Sequence, residues 1–283
     1  MRLAVITATT NSERARTCIE SWHAAALHDL HVIIVTNGEK EDSLRAAWTV
    51  PNTTWLDHPE YLGTVPAFKL GIDYALKHLD AEILANLHDD FRIDESRWDE
   101  KVLKHFDRHP LCGLAGFGAA IGLGDIDIYQ KPYDPMQLAR IGFRSNLVEA
   151  EAHGLRSLLP EKVACLDGFS QVGRRDFWNG YRRNGNGGLV RYSQGDRPWD
   201  VLQTLGVTHH LYDGLLGCLA KRYNWETWYI PLRGHHFGGR TAVGDKGYGN
   251  WAKTQVDEGD QGFWKAAHQI GYEAFRDVLP IRV

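Results

Sequence analysis

The N-terminal third of the chain alternates between short apolar runs and amphipathic stretches. The segments RLAVITAT, HVIIVTNGE and EILANLHDD have the pattern of largely buried strands. Two amphipathic helical patterns lie between them, with apolar faces made of Ala15, Cys18, Ile19 and Trp22 in the first and of Phe68, Ile72, Ala75, Leu76 and Leu79 in the second. This alternation predicts an α/β fold with a mostly parallel sheet, flanked by helices and joined by right-handed crossovers.

Polar side chains stand where the predicted strands end. Thr9 closes the first strand, Asn37 closes the second, and two adjacent carboxylates, Asp89 and Asp90, follow the third. Parallel sheets bind ligands beyond the carboxyl ends of their strands. We therefore expect a ligand site at this edge of the sheet.

The pattern becomes less regular after a helix predicted from Glu95, which turns Trp98 inward and ends near Pro110. From 113 to about 162 the sequence is rich in glycine and then polar, and it includes the loop-like segment IYQKPYDP. The run VACLDGFSQVGRRDFW then regains strand character before a loop rich in arginine and glycine. We expect a more irregular second half that faces the substrate.

Composition and charge narrow the possible functions. With 43% hydrophobic residues, a formal net charge of -4 and a pI near 6.4, the chain is typical of a globular protein without overall attraction to nucleic acid or anionic membranes. The 4 cysteines form no CxxC pair, which argues against a zinc ribbon or a secreted disulfide scaffold. The first apolar run is too short for a signal peptide and no later run approaches membrane-spanning length, so we expect a cytoplasmic protein with no membrane partner.

The segment HDD, His88 to Asp90, is the first candidate site. Hard divalent cations such as Mg²⁺ or Mn²⁺ prefer carboxylate oxygens, and proteins commonly hold them with one or two carboxylates plus substrate phosphates. A solvated strand-to-loop junction, with an aspartate capping the next helix, is the alternative explanation.

The glycine-rich GFGAAIGLG lacks the spacing of a dinucleotide-binding loop, and the sequence contains no P-loop, HExxH or GxSxG motif.

Two later segments carry further candidates. His235 and His236 follow an apolar strand and precede two glycines, and a neutral imidazole is a competent ligand for Mn²⁺-like ions, although adjacent loop histidines can also be simply solvated. Asp213 stands at the N-terminal end of a predicted helix, where the helix dipole favours the carboxylate form that a general base requires. The alternative role for Asp213 is that of a helix cap.

In chain order these segments resemble a nucleotide-sugar glycosyltransferase of the GT-A fold, closest to the inverting glycosyltransferase family 2. RLAVITATTNSERARTCIESW and HVIIVTNGE are similar to the family's first two strands, and NLHDDFRI stands at its DxD position. ACLDGFSQVGRRDF resembles the acceptor-side strand, and HLYDGLLGCLAKRYNWETWYIPLRGHHFGG resembles the base-bearing helix, the next strand and the later histidine. The resemblance implies one GT-A domain over 1–283, with a nucleotide-sugar-binding half (1–112), an acceptor and catalytic half (113–241) and a C-terminal extension (242–283).

The resemblance also implies roles for individual residues. Asp90 matches the DxD carboxylate that binds Mn²⁺ or Mg²⁺, with Asp89 beside the ribose or the metal. His236, or alternatively His235, matches the later metal ligand, and Asp213 matches the base that deprotonates the acceptor hydroxyl. The donor, a nucleotide-diphosphate sugar, is expected to contact Thr7, Thr9, Arg14, Asn37, Lys69, His88, Asp89 and Arg240.

Two positions depart from the family pattern. His88 replaces the usual first aspartate of DxD, and Asn37 stands where an acidic residue usually reads the base, so uridine is not implied. The QxxRW signature of processive synthases is absent. The resemblance therefore implies a single inverting transfer, in which the metal and Lys69 or Arg240 neutralise the departing diphosphate.

The nature of the acceptor is left open by the sequence. Side chains expected on the acceptor side are Asp167, Arg174, Arg182, Arg183 and Trp199. They fit a cleft for a saccharide or protein hydroxyl, or a phosphate-tracking surface for a hydroxymethylated base in DNA, as in viral enzymes. Two other functions compete with sugar transfer. One is a metal-dependent hydrolase that would use His209, His210, Asp213, His235 and His236, and the other is a non-catalytic sugar- or nucleotide-binding protein.

Overall fold

The computed structural model describes residues 1–38, 48, 50–123, 142–148, 156–191, 196–207, 212–237, 274–279 and 281–283. Its strands are β1 (Leu3–Thr9), β2 (His31–Asn37), β3 (Thr53–His58), β4 (Ile83–Leu87), β5 (Phe91–Ile93), β6 (Cys112–Gly116), β7 (Gly118–Ala120), β8 (Gly122–Leu123), β9 (Phe143–Ser145), β10 (Glu161–Lys162), β11 (Cys165–Leu166), β12 (Ser170–Arg174), β13 (Tyr181–Arg183), β14 (Leu189–Arg191), β15 (Glu226–Tyr229), β16 (Gly234–His236) and β17 (Ile281–Arg282). Its helices are α1 (Ser12–Ala25), α2 (Thr64–His78), α3 (Trp98–Arg108), α4 (Arg175–Trp178), α5 (Pro198–Thr204) and α6 (Tyr212–Arg222).

A large sheet of 8 strands, in the order β3-β2-β1-β4-β12-β6-β15-β10, forms the centre of the molecule. Strands β3, β2, β1 and β4 are parallel neighbours, and β15 is parallel to β6. Strand β12 runs antiparallel between β4 and β6, and β10 is an antiparallel strand at the end of the sheet. This mostly parallel sheet, flanked by helices, confirms the predicted fold class. The carboxyl ends of β1, β2 and β4 meet at one edge, where polar side chains were expected.

Helices cover the sheet through the apolar faces that the sequence predicts. The side-chain oxygen of Asn11 caps α1 by accepting a hydrogen bond from the backbone N–H of Arg14. Successive residues of a strand face opposite sides of a sheet, so β1 contributes Val5 to one core cluster and Ile6 to the other. The cluster with Val5 contains Ala15, Cys18, Ile19 and Trp22 of α1, and the cluster with Ile6 contains Phe68, Ile72 and Ala75 of α2.

Two elements differ from the expectation. Helix α3 begins at Trp98 instead of Glu95, because Arg97 has a left-handed φ of 61° and Glu95 accepts a hydrogen bond from the backbone N–H of Arg233. Strand β3 was not predicted at all. It lies at the end of the sheet and is mostly half-buried, so its sequence carries little periodic signal.

The glycine-rich stretch that includes β6, β7 and β8 is strand rather than irregular chain. Strand β6 is fully buried inside the sheet. Its glycines are required by close packing: a Cβ on Gly113 would lie 2.6 Å from the Trp225 side chain, and a Cβ on Gly116 would lie 2.6 Å from the Ser170 carbonyl oxygen. The predicted loop IYQKPYDP, at 128–135, lies outside the described residues.

The C-terminal segment packs onto the same core as α2. Phe275 is fully buried, the guanidinium of Arg222 lies 4.3 Å from the centre of its ring, and Ile281 pairs with Leu123. Residues 238–273 are not described. In the part of the chain that is described, no helix has the length and apolar character needed to cross a membrane. All four cysteines are free and buried.

Candidate functional site

Three side chains converge at the carboxyl edge of the sheet. A ligand atom from each of His88, Asp90 and His236 lies within 4.8 Å of the others. Oδ1 of Asp90 lies 3.3 Å from Nε2 of His236 and 3.8 Å from Nδ1 of His88. Among the described residues, these three are the histidine, cysteine or acidic side chains that lie close enough together, as a group of at least three, to hold one metal ion.

The local fold explains why these three residues meet. His88 and Asp90 lie in the turn between β4 and β5, and the backbone N–H of His88 donates to the carbonyl oxygen of Phe169. Strand β16 pairs antiparallel with β5 and places His236 opposite Phe91. The backbone N–H of Phe237 then donates to the carbonyl oxygen of Asp90, and the His236 ring stacks on Phe169 at 4.6 Å. Two separate segments thus fix His236 beside the turn.

The geometry of this cluster fits a divalent cation. Oδ1 of Asp90 is buried and makes no hydrogen bond, although two imidazole nitrogens face it. Buried polar atoms are otherwise nearly always hydrogen-bonded. Ligand atoms about 2.1 Å from a cation lie about 3 to 4 Å apart when they subtend about 90 to 140°. The two nitrogen–oxygen distances fall within that range, so the residues present suit a metal ion.

The electrostatics keep these groups in the protonation states that metal binding needs. Burial alone would raise the pKa of Asp90, but the imidazoles of His236 and His88 lower it to about 2. Burial lowers the pKa of the His88 imidazole to about 4, against the opposing effect of the Asp90 carboxylate. At neutral pH, Asp90 is therefore a carboxylate and His88 a neutral imidazole.

Asp89 faces away from this cluster toward α1. Its carboxylate accepts a 2.6 Å hydrogen bond from Oγ1 of Thr9 and pairs with the guanidinium of Arg14 at 2.5 Å. Burial raises the pKa of Asp89 to about 6, and the Arg14 charge opposes that rise. The structure thus joins three of the predicted donor-binding residues, Thr9, Arg14 and Asp89, to one another rather than to the cluster of His88, Asp90 and His236.

A cleft borders the cluster on the side of β2 and α2. It is lined by Arg14, Asn37, Tyr61, Thr64, Phe68 and His88, among others. Oδ1 of Asn37 accepts from the backbone N–H of Leu62 at 2.6 Å, so this side chain shapes the cleft wall by holding the loop before α2. Thr7, in β1, is not one of the residues that line this cleft. Its side chain is fully buried and its hydroxyl makes no hydrogen bond.

A larger cavity, about 590 Å³, lies at the opposite edge of the sheet. Its lining includes Arg2, His28 and Asp99. The Asp99 carboxylate already accepts hydrogen bonds from the backbone N–H groups of Leu27 and His28, and Arg2 is paired with Glu82. The carboxyl-edge cleft is the better candidate because a buried carboxylate and two imidazoles converge beside it.

Two further carboxylates lie near the metal cluster. Asp213 is in the first turn of α6, and its Oδ1 accepts from the backbone N–H of Gly214. Burial, with a smaller contribution from the charge of Asp167, raises the pKa of Asp213 to about 6, against the effect of the Gly214 hydrogen bond. Burial also raises the pKa of Asp167, while the neighbouring His236 lowers it. The structure therefore places Asp167 within electrostatic range of both His236 and Asp213.

Other predicted donor and metal residues lie away from the cluster. Lys69 pairs with Asp73 and Asp200, so its charge is shared within a surface network on α2 and α5. The ring of His235 stacks on Phe237 at 4.2 Å, and its strand position is opposite Arg92. Arg240, His209 and His210 lie outside the described residues.

The arginines expected to face an acceptor instead make hydrogen bonds, an ion pair and a ring contact within the protein. Arg174 pairs in register with Ile83, at the amino end of β4, and donates to the carbonyl oxygens of Phe106, His109 and Cys112. Arg183 donates to the carbonyl oxygens of Pro110 and Gly187, and Arg182 lies over the Tyr223 ring beside Asp196. Trp199 is only 2% exposed and stacks on Trp178 at 5.6 Å.

Two residues that the sequence reasoning did not single out belong to the site. Phe169 supports His236 by stacking, and the Tyr212 hydroxyl lies 2.9 Å from Nε2 of His88. Tyr212 precedes the candidate base Asp213 in the sequence. Its position on the inner face of α6 was the signal that could have indicated it, since a tyrosine on such a face needs a buried hydrogen-bond partner.

Comparisons with known proteins give similarity at the level of structure. No protein-family model and no curated protein matches the chain. The mannosyltransferase PcManGT from Pyrobaculum calidifontis, in complex with GDP-Man and Mn²⁺, is similar with a TM-score of 0.49 and 15% identity, over 95% of this chain and 68% of that one. S. aureus TarS 1-349 has a TM-score of 0.46 and 13% identity, over 97% and 81% of the two chains. A197 from STIV has a TM-score of 0.41 and 11% identity, over 84% and 86%. Because identity is low and each TM-score is below 0.5, a function for this protein has to be inferred from its own side chains.

Proposed function

We propose that the protein is a metal-dependent inverting glycosyltransferase, which moves one sugar from a nucleoside-diphosphate sugar to an acceptor hydroxyl. The observation that carries this proposal is the cluster of Asp90, His88 and His236 beside a cleft at the carboxyl edge of the parallel sheet. One carboxylate with a few neutral ligands, supplemented by substrate phosphates, is a common way to hold a divalent cation against a diphosphate.

The donor would bind with its nucleoside in the cleft and its diphosphate toward the metal cluster. Arg14 lines that cleft and brings a guanidinium close to the edge where the phosphates would lie. The pairing of Arg14 with Asp89 holds the guanidinium in a fixed position in the cleft wall. Asn37 and the loop before α2 would form the side of the pocket that meets the base.

A divalent cation at this site, Mn²⁺ or Mg²⁺, would neutralise the charge that develops on the departing diphosphate. Asp90, His88 and His236 are the residues that would hold it. Asp213 would accept the proton of the acceptor hydroxyl as that oxygen attacks the anomeric carbon from the side opposite the leaving group. This direct displacement would invert the configuration of the sugar.

The acceptor that fits best is an uncharged hydroxyl compound of the saccharide or protein class. Asp167 and Asp213 give the acceptor side a negative character, which is unfavourable for a polyanion. The guanidinium groups of Arg174 and Arg183 are engaged with main-chain carbonyl oxygens and do not form an open phosphate-binding surface. These observations favour a neutral acceptor over DNA.

Calorimetry with nucleoside diphosphates, with and without Mn²⁺, tests the proposal. We expect one nucleoside diphosphate to bind in a Mn²⁺-dependent manner, and we expect Asp90→Ala to abolish that dependence while the protein remains folded by circular dichroism. The matched control is Asp94→Ala, which removes a carboxylate paired with Arg92 outside the cluster.

Two results would contradict the proposal. Unchanged affinity in Asp90→Ala would remove the metal site. A wild-type protein that binds a nucleotide sugar with Mn²⁺ but releases no nucleoside diphosphate in the presence of any hydroxyl acceptor or water would instead support a binding protein on the same fold.

A further inference from the structure

The Tyr212 hydroxyl connects the helix of the candidate base to a ligand of the metal cluster. It lies 2.9 Å from Nε2 of His88 and 2.8 Å from the carbonyl oxygen of Gly168. Tyr212 is buried, with its ring 5.9 Å from that of Trp199, so the hydroxyl has a defined position. The other ring nitrogen of His88, Nδ1, faces Oδ1 of Asp90.

Counting protons decides which way these hydrogen bonds run. A tyrosine hydroxyl has one proton to donate, and a carbonyl oxygen can only accept. Two oxygens 2.8 Å apart need a proton between them, so the Tyr212 proton points to the Gly168 oxygen. The contact with His88 must then be donated by Nε2–H of the imidazole to the tyrosine oxygen. In the neutral ring, the lone pair is consequently on Nδ1.

The carbonyl of Gly168 is itself held in place. Nε2 of Gln171 donates to it at 2.6 Å, which uses its second lone pair. A Cβ on residue 168 would lie 2.9 Å from the Tyr212 oxygen, so the absence of a side chain at Gly168 is what allows the tyrosine to approach. The hydrogen bonds therefore run from His88 to Tyr212 and from Tyr212 to Gly168.

We propose that Tyr212 is a positioning residue that locks His88 in the Nε2–H tautomer and thereby presents Nδ1 to the cation, so that the site binds metal through two imidazole nitrogens and one carboxylate. This inference rests on the proposed function and deepens it. A hydrogen bond to the second nitrogen of a ligating histidine fixes the tautomer and ring orientation, and its loss typically weakens metal binding about 10- to 100-fold.

The same ligand set sets the preference of the site among metals. Mg²⁺ favours oxygen ligands and retains its waters. Imidazole is a good ligand for Co²⁺ and Zn²⁺, and Mn²⁺ accepts it more readily than Mg²⁺ does. A site with two nitrogens and one carboxylate oxygen should therefore bind Mn²⁺ and Co²⁺ in preference to Mg²⁺. His88 is the residue that creates this bias, because an aspartate there would give a second carboxylate.

Titration of Mn²⁺, followed by electron paramagnetic resonance, tests the role of Tyr212. We expect Tyr212→Phe, which removes only the hydroxyl, to weaken Mn²⁺ binding at least about 10-fold. The matched control is Tyr229→Phe: Tyr229 is also fully buried and also donates to a main-chain carbonyl, that of Ser157, but it lies outside the cluster. We expect that variant to retain Mn²⁺ affinity within about twofold of wild type.

Two further measurements do not depend on how well Tyr212→Phe folds. Pulsed electron paramagnetic resonance of the wild-type Mn²⁺ complex should show nitrogen modulation from two imidazoles, and His88→Asp should show it from one. Competition titrations should show that His88→Asp shifts the Mn²⁺/Mg²⁺ affinity ratio toward Mg²⁺ by about 10-fold or more.

The outcomes separate the two proposals. Equal Mn²⁺ affinity in wild type and Tyr212→Phe, or a wild-type spectrum with one imidazole, would overturn the role given to Tyr212 and His88 and leave a metal-dependent transferase intact. A wild-type protein that binds neither Mn²⁺ nor a nucleoside diphosphate would contradict the proposed function itself, and this inference with it.

Discussion

At the scale of single residues, neighbouring side chains of the same type have different surroundings. Asp89 and Asp90 are adjacent and both buried, yet Asp89 is paired with Arg14 and Thr9 while Oδ1 of Asp90 makes no hydrogen bond. His235 and His236 differ in the same way, since only His236 lies against Asp90. Only one member of each pair therefore lies in the cluster of His88, Asp90 and His236.

Asp213 provides a prediction about pH. Burial raises the pKa of Asp213 to about 6, so the carboxylate that can accept a proton is the minor form below that pH. With donor, acceptor and Mn²⁺ saturating, we expect kcat to rise about tenfold per pH unit below about pH 6 and to level off above it. Asp213→Asn should lower kcat about 10²- to 10⁴-fold, with donor affinity unchanged.

The raised pKa of Asp213 also makes the free energy of unfolding depend on pH. The folded protein binds the Asp213 proton more tightly than the unfolded chain, whose carboxyl keeps the ordinary value near 3.8. The contribution of this group to the free energy of unfolding is therefore present below pH 3.8 and is lost as the pH rises toward about 6.

A kcat profile that is flat from pH 4 to pH 8 in the wild type, or an Asp213→Asn variant with full activity, would exclude Asp213 as the base.

At the scale of elements, the pairing of β16 with β5 places His236 at the metal cluster. Gly234, the first residue of β16, pairs with Ile93, and a Cβ on it would lie 2.5 Å from the Arg92 carbonyl oxygen. A real side-chain carbon does not approach that closely, so any substitution must push β16 away from β5. The proposed metal site depends on this pairing, because β16 carries His236 whereas His88 and Asp90 lie in the turn between β4 and β5.

Gly234→Ala is therefore expected to weaken Mn²⁺ binding about 10-fold or more and to destabilise the protein by about 1 to 3 kcal/mol, the usual range for overpacking. Isothermal calorimetry and chemical denaturation measure the two effects. Gly185→Ala is the matched control, since a Cβ at Gly185 would have no atom within 4 Å. Full Mn²⁺ affinity in Gly234→Ala would show that the β16–β5 pairing does not position the ligand.

At the scale of the whole molecule, the distribution of charge decides between acceptor classes. The net charge is -4, and arginines that are close together in the sequence make contacts in different parts of the structure. Arg174 binds the end of α3, Arg175 binds carbonyl oxygens at the end of α2, and Arg197 pairs with Asp73 and Asp200. A continuous basic surface is not formed by these side chains.

We therefore expect no salt-dependent binding to duplex or single-stranded DNA. Fluorescence anisotropy at low ionic strength, repeated over a range of salt concentrations, measures it, and Mn²⁺-dependent binding of a nucleoside diphosphate in the same buffer is the positive control. A steep loss of DNA affinity with salt, of about one unit of slope per phosphate contact, would contradict this prediction and favour DNA as the acceptor.

Much of the architecture could be predicted because its signals are local. The inner face of α1 follows from spacing within one helix, and the alternation of strand and helix implies a parallel sheet. Strand β3 could not be predicted, because it is half-buried and its partner strand provides the pairing. The glycines of β6 were equally ambiguous, since the Trp225 side chain that requires Gly113 lies far along the chain.

By itself, the sequence determined the fold class, the edge of the sheet where the site lies and the candidates Asp90, His236 and Asp213. It could do so because strand ends and helix starts are set by neighbouring residues. Tertiary structure alone decided that His88 joins Asp90, that the Tyr212 hydroxyl contacts His88, and that Arg174 caps a helix at the opposite edge. These contacts join residues that are far apart in the sequence. Such contacts produce no periodic pattern of hydrophobic and polar residues, so the sequence could not predict them.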